Sequence, residues 1–248
     1  MRLDITLHTP NGTLRLPMQY NRLIQAAIYN NLGPEMAEFL HGQGFTHGQR
    51  SFKLFTFSRL RGEYRLDKAR NEIIFSKEVK LVVSSPLLQF CTSLLNCLLT
   101  NGSIRLGEES SEITGISVDT PKVETEEIEV RCLSSVVVYS TFLRPEGGKY
   151  TCYFQPGEGE FARLLESNLR KKYEVFHQRT APGGELKIKT LGRPRLNLIM
   201  YKETPIKGYS CRLKLTGHPE LLQMGVDAGL GSKGSQGFGC VEMVRKII

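Results

Sequence analysis

Apolar and polar positions alternate along the first eight residues, MRLDITLH. Leu3, Ile5 and Leu7 share one face, which predicts a strand. The segment LRLPM either extends this strand or pairs with it. The period then changes to that of a helix over YNRLIQAAIYNNLG, with Ile24 and Ile28 on one face and Gly33 ending it. A second helix, PEMAEFLHG, follows. Pro34 suits its first turn, Gly42 stops it, and Met36, Phe39 and Leu40 form its buried stripe. FKLFTFSRL predicts an aromatic-rich strand, and NEIIFS and EVKLVVSS a pair of strands. PLLQFCTSLLNCLLTNG predicts a helix between Pro86 and Gly102, and SIRLG and SEITGISVD two further strands.

The polar stretch TPKVETEE, residues 120–127, predicts a solvated linker and a domain boundary. Beyond it, IEVRCLSSVVVYS and KYTCYFQ read as strands. GEFARLLESNLRKKYEVFH reads as a helix with Phe161, Leu164, Leu165 and Leu169 inward. Arg170, Lys171 and Lys172 fall near its end, where cations suit the helix dipole. GELKIKT, RLNLIMYKE and GYSCRLKLTG are three strands, HPELLQMGVDAG a short helix, and CVEMVRKI a closing strand. Each half thus reads roughly β-α-β-β-α-β. That order predicts an α+β fold of two tandem ferredoxin-like (RRM-like) domains, residues 1–122 and 123–248.

Composition narrows the class. Hydrophobic content of 40% and charged content of 23% suit a globular chain able to bury a core. The formal charge of +8 favours an anionic partner such as nucleic acid. Both halves are net basic, so folding rather than a tail must gather any binding surface. Cys91, Cys97, Cys132, Cys152, Cys211 and Cys240 form no C-x-x-C pair and read as reduced thiols, mostly in the core, of a cytoplasmic protein. No signal sequence and no membrane-spanning run is expected.

The segment GLGSKGSQGFGC, residues 229–240, contains Gly229, Gly231 and Gly234 as a literal G-x-G-x-x-G. The dinucleotide reading fails, because that motif needs a long helix after it and an acidic residue about 20 positions on. The Walker A reading fails because Lys233 precedes Gly234 in SKGS. Two readings stay open. One is a turn with no ligand. The other is a backbone surface pressed against a phosphate chain, with Gly229, Gly231, Ser232, Lys233, Gly234, Ser235, Gln236 and Gly237 as the contact residues.

The form G-x-G-x-x-x-x-x-G-F-G, between last helix and last strand, resembles the signature loop of the CRISPR-associated RNA-binding superfamily. Within it, LLQMGVDAGLGSKGSQGFGCVEMV, together with LPMQYNRLIQAAIYNNL, FLHG and KLFTFS near the N-terminus, resembles the Cas-six (Cas6) family. The middle of the chain matches only by pattern. The resemblance implies an endoribonuclease that cuts precursor CRISPR RNA within its repeats and needs no metal or other cofactor. The ribose 2′-OH would attack its own 3′ phosphate, leaving a 2′,3′-cyclic phosphate and a 5′-OH. Such chemistry asks for a base near the 2′-OH, an acid near the leaving oxygen and positive charge near the phosphorane.

The family match assigns these roles to His41 of FLHG, Tyr29 of AAIYNNL and Lys53 of KLFT. Read locally, His41 is equally a surface histidine at a helix end, Tyr29 a packing tyrosine and Lys53 a solvated strand-end lysine. Strand alternation would put Lys53 on the face of Phe55 and Phe57. Between His41 and Lys53 the segment GQGFTHGQRSF is longer than the family pattern. It carries His47, either a replacement for His41 or loop surface. His8, His177 and His218 have no motif support. Lys187, Lys189, Arg193 and Arg195 are further RNA-binding candidates, as are Arg59, Arg61, Lys202 and Lys207. The partners implied are CRISPR repeat RNA and, as a second class, other subunits of a CRISPR effector complex, with no membrane. A non-cutting guide-RNA subunit is the competing reading. It would share the loop but need no Tyr29, His41 and Lys53.

Overall fold

The computed structural model describes residues 1–244, apart from the side chains of residues 9–11. The first half runs β1 (Arg2–Pro17), α1 (Asn21–Asn30), α2 (Pro34–Gly42), a small hairpin of β2 (Phe45–His47) and β3 (Arg50–Phe52), β4 (Thr56–Phe57), β5 (Arg61–Asp67), β6 (Glu72–Ser84), α3 (Leu88–Asn101), β7 (Ser103–Leu106) and β8 (Glu109–Asp119). The second half runs β9 (Glu127–Cys132), β10 (Tyr139–Leu143), β11 (Lys149–Tyr153), α4 (Gly159–His177), β12 (Lys187–Tyr201), β13 (Thr204–Thr216), α5 (Pro219–Ala228), a 3-10 turn at Gly234–Gln236 and β14 (Val241–Met243).

The antiparallel sheets are ordered β4-β6-β1-β8-β7, with β5 also on β6, and β12-β13-β9-β14. In each, the first strand of a β-α-β-β-α-β unit lies between its third and fourth. The fold is α+β, two ferredoxin-like units in tandem. Leu3, Ile5 and Leu7 of β1 pack with Ile24 and Ile28 of α1 and Leu94 and Leu98 of α3. Val130, Leu213 and Leu215 pack with Phe161, Leu165 and Leu169 of α4 and Leu222 of α5. Each such side chain contributes about 1.5–3 kcal/mol when fully buried. Among the described residues no helix is long and apolar enough to cross a membrane.

The expected helices form close to their expected bounds. Pro34 sits in the first turn of α2, and Gly102 caps α3 at φ 62°. Several strands differ. NEIIFS and EVKLVVSS are one strand, β6, bent at Lys77 (φ 60°), where β1 also slips register between His8 and Thr13. GELKIKT and RLNLIMYKE likewise fuse into β12 across a bulge at Gly192. RGEYRLD forms β5, a strand not foreseen, hairpinned onto β6. FKLFTFSRL is not one strand: Leu54 takes φ 51°, which breaks the alternation, so that Phe52 ends the β2–β3 hairpin and Thr56–Phe57 pairs separately with β6. Phe55 and Phe57 are both buried while Lys53 is half-buried. Lys53 is therefore not placed by strand alternation. The predicted last strand is formed at Val241–Met243, and its remainder from residue 245 lies outside the described residues.

All six cysteines are free; Cys91 and Cys240 are buried and the others half-buried.

Candidate functional site

The glycine segment threads between the two halves of the molecule. Leu230 N–H donates to Gly239 O (2.8 Å), Ser232 N–H to Val137 O (2.8 Å) and Gly239 N–H to Ser135 O (2.9 Å). The segment then lies against β4, where the Thr56 hydroxyl donates to Phe238 O (2.8 Å). Glycine is required here by the protein's own packing. A Cβ on Gly234 would come within 2.8 Å of Phe55 O, and one on Gly231 within 2.5 Å of Val137 O. Gly237 (φ 83°) has no room for a Cβ beside the Phe57 ring. Gly229, Gly231 and Gly237 are buried, and Ser232–Gln236 stay half-exposed. The outward surface is thus the tip, not the glycines at its base. Lys233 (φ 66°) sits on that tip with Nζ 5.3 Å from the Tyr139 ring centre, and burial lowers its pKa.

Helix α1 fastens the tip. Asn21 Nδ2 donates to Gln236 O (2.9 Å) and Gly237 O (3.3 Å), and Gln25 Nε2 donates to Ser235 O (2.7 Å). The Tyr201 hydroxyl, at the end of β12, donates to Gln25 Oε1. One turn further along the same face of α1, about 6 Å at 1.5 Å per residue, stands Tyr29. Its ring packs edge-on against His41, with centroids 6.4 Å apart, and against Phe55 at 5.9 Å. Burial, then the neighbouring Tyr201, pushes the Tyr29 phenol up to about 12, so it carries a proton to donate at neutral pH. His41 is exposed in the last turn of α2. That helix ends as Gly44 N–H donates to Phe39 O (2.7 Å). The Lys53 side chain lies across Gly44: a Cβ there would sit 3.0 Å from Lys53 Nζ. Burial lowers the Lys53 pKa. Tyr29, His41 and Lys53 are therefore gathered around the end of α2, and Phe55 links them to the glycine tip.

Other candidates lie elsewhere. His47 is carried on the β2–β3 hairpin and meets Glu174 of α4 at 3.0 Å. The long segment after His41 thus docks on the second half instead of lying loose. Lys187, Lys189, Arg193 and Arg195 are exposed along β12. At about 3.3 Å per residue, Arg195 stands roughly 20 Å from the Tyr201 end of that strand and Lys187 more than twice as far. They are not part of the Tyr29 cluster. Arg195 and Arg59 share a cleft of about 480 Å3 between the two halves. In it Arg59 stacks over Tyr20 at 4.5 Å and donates to its hydroxyl (2.9 Å). Arg61 faces Asp4 and Glu242, each at 3.9 Å. Lys202 and Lys207 are exposed. His218 caps α5 by accepting from Glu220 N–H (3.3 Å), and His177 packs on Tyr173. Among the described residues no group of three or more His, Cys, Asp or Glu side chains gathers to hold a metal ion.

Of the three cations read near the end of α4, Arg170 and Lys171 are half-exposed, but Lys172 faces inward and is 5% exposed. Its Nζ donates to Ala228 O (3.2 Å), Gly229 O (2.7 Å) and Gly231 O (2.9 Å). Sequence reasoning also missed Asn21, Gln25, Thr56 and Tyr201. For Asn21 and Gln25 a signal existed: polar residues on an amphipathic helix flanking a stripe of buried Ile24 and Ile28.

Two family models match the chain: CRISPR-associated protein Cas6, N-terminal, over residues 15–117, and CRISPR associated protein Cas6, C-terminal, over residues 118–243. CRISPR-associated endoribonuclease Cas6 1 of Methanocaldococcus jannaschii is 26% identical, covering 97% of this chain and 92% of its relative. CRISPR-associated endoribonuclease Cas6 of Pyrococcus furiosus is 26% identical over 92% of this chain and 84% of its own. A solved structure of a Cas6-related gene product from Pyrococcus furiosus superposes with a TM-score of 0.86 at 18% identity, covering 99% of both chains. Another, described as an RAMP protein binding different RNA substrates, gives 0.83 at 20% identity and covers 99% of this chain and 100% of its own.

Proposed function

The chain belongs to the Cas6 family, and on that footing we propose that it is an endoribonuclease that processes CRISPR RNA by cutting within the repeats. Two relatives that match nearly the whole chain carry the name endoribonuclease. The observation that carries the reading is the meeting of Tyr29 with His41 beside Lys53, one turn of α1 from the glycine tip.

The reaction proposed uses the RNA's own 2′-OH as nucleophile, so it calls for no metal-bound water. His41, exposed and with no hydrogen-bond or ion-pair partner among the described residues, moves a proton at the 2′-OH or the leaving 5′ oxygen. Tyr29 donates from its phenol to the ribose or the phosphate. Lys53 offsets the charge that grows on the phosphorane. The tip Ser232–Gln236 contacts the RNA backbone, and the exposed cations of β12 hold a more distant part of the repeat. The products are a 2′,3′-cyclic phosphate and a 5′-OH. The boundary between the two working units falls in residues 120–126, which join β8 to β9 without regular structure.

The test is to incubate end-labelled repeat RNA with wild type and His41→Ala in excess chelator. Cutting at one site by wild type, with a cyclic-phosphate end and loss in the variant, is the expected result. Tight binding by wild type with no cutting would overturn the nuclease reading in favour of a guide-RNA-holding subunit.

A further inference from the structure

We infer that Lys172 is a positioning residue for RNA binding, fixing the path of the glycine segment from beneath; this rests on the ribonuclease reading above. The residue sits on the inward, buried face of α4 with Leu165, Leu169 and Tyr173, behind the expected RNA-contacting tip and not on it. Its partners among the described residues are three main-chain carbonyls, those of Ala228, Gly229 and Gly231. The first two belong to the end of α5, where carbonyls lack partners within the helix and the dipole is negative. The third lies inside the glycine segment, one residue before Ser232. An ammonium has three donors, and here three acceptors converge on it.

The other end of the tip is fastened by Asn21 and Gln25 of α1. The segment is thus held from α4 on one side and α1 on the other. Ser232–Gln236 span the interval, so their placement beside Tyr29 depends on both anchors. A purely structural role would not require a cation. A buried charge costs several kcal/mol to desolvate, and an apolar side chain of similar volume is often as stable or more so. What an apolar side chain cannot do is converge three carbonyls on one point. Without that point, three buried acceptors are left to find other partners, and the segment's path is no longer specified.

The experiment compares wild type with Lys172→Met, which keeps length and removes the donors. Two readouts are taken: amide hydrogen exchange of the free protein, and affinity and saturating single-turnover rate with repeat RNA. Exchange at residues 230–240 is expected to speed up while that of β1 and β6 is unchanged. Affinity is expected to fall about tenfold, with the rate at saturating RNA within about twofold of wild type. Lys172→Arg, which keeps charged donors, is expected to recover part of the affinity. Unchanged exchange at 230–240 overturns the positioning role whether or not RNA binds. Faster exchange with unchanged affinity overturns its link to RNA. A wild type that binds no repeat RNA removes the ribonuclease reading and that link with it, and leaves the exchange result to decide the anchoring alone. Should Lys172→Met not fold, Lys172→Gln, with two N–H donors at shorter reach and no charge, is measured in its place. Affinity within about twofold of wild type in that variant overturns the inference.

Discussion

The Tyr29 ring meets His41 nearly perpendicularly, at 88°, across the gap between two consecutive helices. Edge-to-face contact places the rings side by side without a hydrogen bond between them. The imidazole nitrogens and the phenol oxygen are thus left for a substrate.

His41→Ala is expected to lower the single-turnover cleavage rate by roughly 10²–10⁴-fold, the usual worth of a placed acid or base. RNA affinity and melting temperature should hardly change, because the side chain is exposed. His47→Ala should leave the rate near wild type. Its partner Glu174 is partly exposed, so the pair contributes about 0–1 kcal/mol of stability. A rate lost in His47→Ala and kept in His41→Ala would exchange the two assignments.

Tyr29→Phe removes one oxygen and keeps the packing on Phe55. The expected outcome is a rate lower by about tenfold or more, consistent with loss of a hydrogen bond of order 1–3 kcal/mol that strengthens in the transition state, at unchanged stability. Chemical denaturation and single-turnover kinetics on the same preparation check this. A stability loss without a rate loss would make Tyr29 a packing residue.

Gly237→Ala should destabilise the protein by about 3 kcal/mol, since it combines a positive φ with overlap on the Phe57 ring. Gly184→Ala is the control. Its φ is similar, 88°, but nothing lies within 4 Å, so it should cost only about 1 kcal/mol. Equal losses in urea melts would show that conformation, and not close packing, sets the demand for glycine in the loop.

Burial draws the Lys172 ammonium down to about 7 from its ordinary 10.5, against the pull of the three carbonyls, which favour the charged form. Between these values the unfolded chain binds the proton that the folded chain releases, so this residue's contribution to stability rises with pH across that window. Below pH 7 the burial penalty stands in full. In urea melts at pH 7, 8 and 9, the difference between wild type and Lys172→Met should shift towards wild type as pH rises. A flat difference would mean that the three carbonyls hold the lysine charged throughout.

The sequence by itself determined the elements whose causes are local. Pro34 and Gly102 mark helix ends because a fixed φ suits a first turn and a positive φ suits a cap. The alternation of Leu3, Ile5 and Leu7 fixes which face of β1 is buried. The repeated β-α-β-β-α-β order of strands and helices pointed to the tandem ferredoxin-like fold, and the antiparallel pairings of the structure bear it out. Tyr29, His41, Lys53 and the glycine tip could be named from short motifs, but not placed together. Tertiary structure decided what depends on distant partners. Lys77 and Gly192 sit at bulges that mimic turns in a linear reading, and only pairing across the sheet shows one strand on either side. Lys172 reads as one of three cations near a helix end, yet its acceptors lie 56, 57 and 59 residues away. The glycines look built to approach a ligand. Their Cβ positions are instead occupied by Phe55, Phe57 and Val137, residues far away in the chain that close packing brings within contact.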